Sequence, residues 1–157
     1  MSQSTNDIFH NLEGKWSIKR ILGAVGTAEG EASFIQTGNS NVFSYQEKLE
    51  ITFTGYEKQT GHQEYKFIYD VERDSISKYN SSDNFMYQLK FSGNKANGEY
   101  DCTPDKYIAT YMFLSDNKFF LIYKVTGPAK NYSIVTEFEK ITEAEVGGAS
   151  LDSSLVD

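Results

Sequence analysis

Cysteine, histidine and proline are almost missing from this chain, and each shortage removes a class of chemistry. There is one cysteine, Cys102, so no disulfide can close within the chain. That usage suits a reducing compartment. The two histidines, His10 and His62, make no pair with each other or with Cys102 at zinc-ligand spacing. A haem would need one of them as an axial ligand, and neither sits in a motif. No phosphate loop, dinucleotide fingerprint or Gly-x-Ser-x-Gly elbow is present. No metal and no cofactor is therefore expected. Only 2 prolines argue against a collagen-like or disordered chain.

Long apolar runs are also lacking. None approaches the ~20 residues that span a bilayer. Residues 1–7 are polar and hold no apolar signal core. A soluble, cytoplasmic protein is expected. Basic residues are outnumbered, 15 Lys and Arg against 22 Asp and Glu, for a net charge of -7. Nucleic acid and anionic membranes need a positive surface, so neither is an expected partner.

What the chain has in quantity is aromatic rings, 11 Tyr and 11 Phe. Rings suit the pleated surface of strands. Residues 42–54 show the pattern most clearly: Phe43, Tyr45, Glu47, Leu49, Ile51 and Phe53 alternate with mostly polar neighbours. Similar segments are expected at 14–22, 31–36, 63–69, 75–80, 85–91, 98–102, 105–114, 119–125 and 132–138. The segment at 75–80 is the weakest. Gly23, Gly26 and Gly30 read as a flexible connection, and residues 7–12 as a short helical turn capped by Asn6 or Asp7. Many short strands with frequent turns suit an all-β sandwich or an antiparallel up-and-down barrel. Short hairpins and one ring-bearing face per strand favour the barrel, of about eight to ten strands. The expected domain spans residues 7–140. Residues 141–157 lose all periodicity, hold four acidic residues and no basic one, and read as a disordered acidic tail.

Four blocks carry a resemblance. They are Leu12-x-Gly14-x-Trp16-x-Ile18-x-Arg20; Gly30-x-Ala32-x-Phe34 with Tyr45-x-Glu47; Cys102-x-x-Asp105-x-Tyr107; and Gly127-Pro128-x-Lys130-x-Tyr132. In this order they resemble an uncharacterised lipocalin-like domain family. The resemblance implies a barrel with a pocket and supplies no activity. Tyr100 stands where that family's pattern usually has a histidine, two positions before the cysteine.

Trp16, Ile18 and Arg20 share one strand face, so a guanidinium enters the interior beside an indole. Arg20 and Glu47 then form either an internal salt bridge, with Arg20 stacked on Trp16, or an anchor for a carboxylate or phosphate. Cys102, Asp105 and Tyr107 form either a capped turn with a small core thiol or a cluster at a pocket rim. Lys130 and Tyr132 are either a solvated lysine with a core tyrosine or a cation at the barrel mouth. The inner rings expected are Phe43, Phe53, Tyr65, Phe67, Tyr69, Phe85, Tyr87, Tyr111 and Tyr123. So many phenols on one surface favour a wet or ligand-filled interior, because buried hydroxyls need partners.

The function expected first is binding of a small amphipathic or anionic ligand, with Arg20, Tyr45, Glu47, Tyr100, Cys102, Asp105, Tyr107, Lys130 and Tyr132 as candidate contacts. An enzyme using carboxylate and tyrosine acid–base chemistry in the same barrel is the second reading. A solid barrel serving as a protein-interaction module is the third.

Overall fold

The computed structural model describes residues 4–142. The tail expected at 141–157 lies, from residue 143 on, outside the described residues. A short helix, α1 (Thr5–Asn11), precedes ten strands: β1 (Gly14–Leu22), β2 (Gly26–Gln36), β3 (Val42–Phe53), β4 (Gln59–Asp70), β5 (Ser75–Asn80), β6 (Phe85–Leu89), β7 (Lys95–Cys102), β8 (Asp105–Ser115), β9 (Lys118–Gly127) and β10 (Lys130–Lys140). All pair antiparallel, in the order β6-β5-β4-β3-β2-β1-β10-β9-β8-β7. Each strand thus pairs with its chain neighbours, and β1 with β10 joins the two runs. This is an up-and-down barrel, closed except for a seam between β6 and β7, and the sandwich is excluded.

Alternation fixes what enters the interior. Trp16 and Ile18 are buried on β1, and Phe43, Tyr45, Glu47 and Leu49 on β3. Across the seam, the Tyr87 ring of β6 lies over Gly98 of β7. A Cβ at Gly98 would come within 2.5 Å of that ring, so only glycine lets the two edges approach.

One end is sealed. Ser4 caps α1 by accepting a hydrogen bond from the Asp7 amide at 3.0 Å, so the helix starts earlier than the expected Asn6 or Asp7 cap. Its Phe9 stacks on Phe43 at 4.3 Å, and Ile8 and Leu12 are buried. The Trp16 indole N–H donates to the Leu12 carbonyl at 2.8 Å. Phe119 and Phe138 stack at 4.4 Å beside it. Arg20 does not stack on Trp16 as one reading had it. Lys140 takes that place, 5.4 Å above the indole.

Three further expectations are corrected. Gly26 and Gly30 lie within β2, not in a flexible connection. This segment is rich in Gly, Thr and Glu and lacks the apolar period that would mark a strand. Phe85 faces outward and is 57 % exposed. The pairing of β5 with β6 shifts register between Lys78 and Tyr79, which carries Phe85 onto Tyr79 at 5.8 Å. Phe53, at the end of β3, is only partly buried and does not join the core cluster.

Gly30 leaves no room for a side chain between β2 and β3. A Cβ there would run into the Lys48 carbonyl oxygen, with the Leu49 Cα 3.0 Å away. Both obstacles are backbone, so nothing can swing aside. Gly30→Ala is expected to cost about 2 kcal/mol or more, measured by urea denaturation. An unchanged midpoint would show that the two strands tolerate spreading.

Candidate functional site

Above the sealed end the barrel holds a cavity of about 240 Å³. Its wall combines apolar side chains, among them Phe34, Phe67, Phe119 and Leu121, with two groups of polar ones. Small residues on the inner face of β2 make the first polar group possible. Ala28 faces Arg20 and Ala32 faces Glu47 in the two ladders. The guanidinium therefore reaches over β2, from β1 to β3. It makes a bidentate pair with Glu47, at 2.7 and 3.0 Å, and its Nε donates to Thr136 Oγ1 at 2.7 Å. The Tyr45 hydroxyl donates to Glu47 at 2.5 Å. Glu47 is 2 % exposed.

Burial alone would raise the Glu47 pKa. The hydrogen bonds and charge of Arg20, with the bond from Tyr45, outweigh it and hold the carboxyl below its ordinary value. Burial likewise pulls Arg20 down, and Glu47 more than reverses it. Burial beside this carboxylate lifts Tyr45 well above the ordinary phenol value. Arg20 and Glu47 thus form the internal salt bridge. Three guanidinium bonds go to protein partners.

The second polar group is Lys78, which the sequence reading did not pick out. On β5 it pairs with Phe67 of β4 and Tyr87 of β6, both inward residues, so register drives it inward too. It is 3 % exposed. Its ammonium lies 4.0 Å from the centre of the Tyr65 ring, with Phe67, Tyr87 and Tyr123 at 5.4, 5.4 and 5.6 Å. Nζ donates to the Tyr123 hydroxyl at 2.9 Å. From there a chain of phenols continues, Tyr123 to Tyr87 at 2.6 Å and Tyr87 to Tyr111 at 2.7 Å. Burial lowers the Lys78 pKa to about 7; Glu47 opposes the drop and Arg20 adds to it. Burial raises Tyr87, Tyr111 and Tyr123, so their hydroxyls keep their protons.

The other candidates divide. Tyr100 and Tyr107 stack at 4.8 Å and line the cavity. Burial pushes Tyr100 up to about 12. Cys102 is exposed, which removes the core-thiol reading. Asp105 and Lys130 pair with each other at 2.8 Å, so Lys130 is not a free cation at the mouth. Tyr132 is exposed rather than a core residue. None of Cys102, Asp105, Lys130 and Tyr132 lines the cavity. Lys78 had a signal in Ile76-x-Lys78: if Ile76 points inward, so does Lys78.

Among the described residues, no three His, Cys, Asp or Glu side chains gather as a metal ion would require. No described helix is long and apolar enough to cross a membrane.

Comparison with known structures supports the same architecture. An S-type phycobiliprotein lyase, CPES, from Guillardia theta superposes with a TM-score of 0.67 at 8 % identity, covering 90 % of this chain and 94 % of that one. A de novo designed fluorescence-activating β-barrel gives 0.50 at 10 % identity, covering 86 % and 98 %. Both show a shared fold. No curated protein matches the sequence. One family model does, over residues 12–140, nearly the whole barrel, and the chain belongs to it: the family of unknown function DUF6314.

Proposed function

We propose that the protein binds a small amphipathic molecule inside the barrel, with its apolar body on the ring-lined wall and an oxygen-bearing head at Lys78. One observation carries this reading. Lys78 is a buried donor inside a cavity, with one hydrogen bond to protein where an ammonium can make three. Arg20, one of the candidate anchors, has its guanidinium already held by Glu47 and Thr136. Apolar walls with a few placed polar groups are the usual make-up of a ligand site. The cavity, at about 240 Å³, falls below the roughly 300–1,000 Å³ of drug-sized pockets, so the ligand is small. Of the two compared barrels, one is a phycobiliprotein lyase and the other a fluorescence-activating design. The reading agrees with both names and rests on the cavity. The lipocalin-like resemblance and a cytoplasmic setting belong to the same proposal, the latter supported by the lone thiol of Cys102.

Native mass spectrometry of the purified protein, before and after denaturation, tests it. The expected result is a stoichiometric mass excess that disappears on denaturation and falls about tenfold in occupancy in Lys78→Met. No excess after incubation with a cell extract would reject the reading in favour of a barrel that works through its outer surface.

A further inference from the structure

We propose that Lys78 takes up a small, flat aldehyde as an imine, so that the barrel holds its ligand covalently and reversibly. This rests on the cavity being a ligand site. It adds what the ligand is and how it is held.

The argument starts from what surrounds Nζ. Around it are the ring faces of Tyr65 and Tyr87 and the Tyr123 hydroxyl bonded to Nζ, with the charges of Arg20 of β1 and Glu47 of β3 acting on it. Arg20 and Glu47 hold each other, and among the described residues no carboxylate forms an ion pair with Lys78. An ammonium in such a place pays its desolvation without a counter-charge, so the free amine is populated near neutral pH. Lysines desolvated in this way are the ones that become nucleophiles toward carbonyl carbon. Among the described residues Lys78 is the buried lysine. The walls beside it are aromatic, and rings accept a flat conjugated body best.

The step is balanced by the groups present. The nitrogen lone pair of the neutral amine attacks the carbonyl carbon and forms the C–N bond. The carbonyl π pair moves to oxygen, which gains a proton as nitrogen loses one, giving a carbinolamine. A tyrosine hydroxyl then lends a proton to the carbinolamine oxygen, which leaves as water, and nitrogen's electron pair closes the C=N bond. The nitrogen returns a proton to the tyrosinate. Amine and aldehyde have become imine and water, with no oxidant or reductant. Tyr123 is the hydroxyl in place, bonded to Nζ at 2.9 Å, and Tyr87 and Tyr111 can resupply its proton through bonds of 2.6 and 2.7 Å. Their phenols are held protonated by burial, as proton donors must be. The apolar part of the wall keeps water scarce, which slows hydrolysis back to the amine.

The test uses 2-naphthaldehyde with sodium cyanoborohydride at pH 7, intact mass and peptide mapping. The expected product is one adduct per chain on the peptide holding Lys78, with a mass gain of the aldehyde less one oxygen. It forms about tenfold or more faster than adducts on surface lysines, which are mostly protonated at this pH. Lys78→Met loses it, and Tyr123→Phe slows it by about a hundredfold. Adducts confined to surface lysines in the parent protein would overturn the proposal. 2-Naphthylmethanol, the same body without the carbonyl, separates the two levels by native mass spectrometry. If the alcohol occupies the barrel and Lys78 stays unmodified, the imine is wrong and the binding reading stands. If neither compound occupies the barrel, both fall.

Discussion

Lys78→Met is expected to stabilise the protein by about 3 kcal/mol at pH 6, more than most single substitutions change stability in either direction. Lysine and methionine are both unbranched, so the replacement fits the same space. It removes a buried charge that no carboxylate neutralises. A pKa of about 7 in the fold, against about 10.4 in an unfolded chain, corresponds to about 4–5 kcal/mol at low pH. The lost bond to Tyr123 and the lost attraction of the Tyr65 ring give back about 1–2 kcal/mol. The Tyr123 hydroxyl is not orphaned, because its bond to Tyr87 remains. A thioether among rings recovers some of the contact.

The pH course gives this prediction a second arm. Below pH 7 the lysine is protonated in both states, so stability does not change with pH on its account. Between about 7 and 10.4 the unfolded chain holds a proton that the folded chain has lost. Stability of the parent protein therefore rises with pH across that window. The methionine variant lacks this slope, so its advantage is largest at and below pH 7 and closes toward pH 10. Urea denaturation at pH 6, 8 and 9.5 measures both arms. Equal stabilities at pH 6, or an advantage that does not change with pH, would mean that the ammonium is solvated in the fold.

Much of the architecture was legible because alternation is a strong constraint. Trp16, Ile18 and Arg20 on one face, and Tyr45 with Glu47 on another, required only a period of two and an inside. The pairing of Arg20 with Glu47 followed from the cost of leaving either charge buried alone. What sequence did not show was set by neighbours in space. Lys78 sits in a short segment with serines at Ser75 and Ser77, where a lysine reads as solvated. Its inward aim depends on its register with Phe67 and Tyr87. Phe85 kept its place in an alternating run, yet a register shift at the barrel seam put it outside. The Cys102, Asp105 and Tyr107 block offered either a capped turn with a core thiol or a cluster at a pocket rim. The structure splits it, with Tyr107 lining the cavity, Asp105 held by Lys130 and Cys102 in solvent. The turn between Cys102 and Asp105 contains the cis Thr103–Pro104 peptide, which no residue pattern announces.

Arg20→Met is expected to lose about 3–5 kcal/mol at pH 7, because it strands Glu47 as a buried, unpaired carboxylate. Glu47→Gln in that background is expected to recover about half. The amide removes the charge and can still accept the Tyr45 hydroxyl, which donates to the carboxylate in the parent protein. The double variant is then more stable than the Arg20 single variant by about 2 kcal/mol, and the departure from additivity exceeds this by whatever Glu47→Gln costs alone. The pH responses of the two proteins diverge in sign. In the parent protein Glu47 titrates below its ordinary value. The stability it contributes is fully present above the unfolded carboxyl pKa, near 4.3, and is lost as pH falls through the folded value. In Arg20→Met the guanidinium no longer opposes burial, the first cause acting on this carboxyl. Glu47 then titrates above its ordinary value, and lowering the pH toward 4.5 shrinks the variant's deficit instead of enlarging it. Denaturation of the parent, both single variants and the double variant at pH 7 and 4.5 separates the outcomes. Additive losses in the double variant would mean that Arg20 acts by packing over Ala28 and Ala32 and that its pairing with Glu47 contributes nothing.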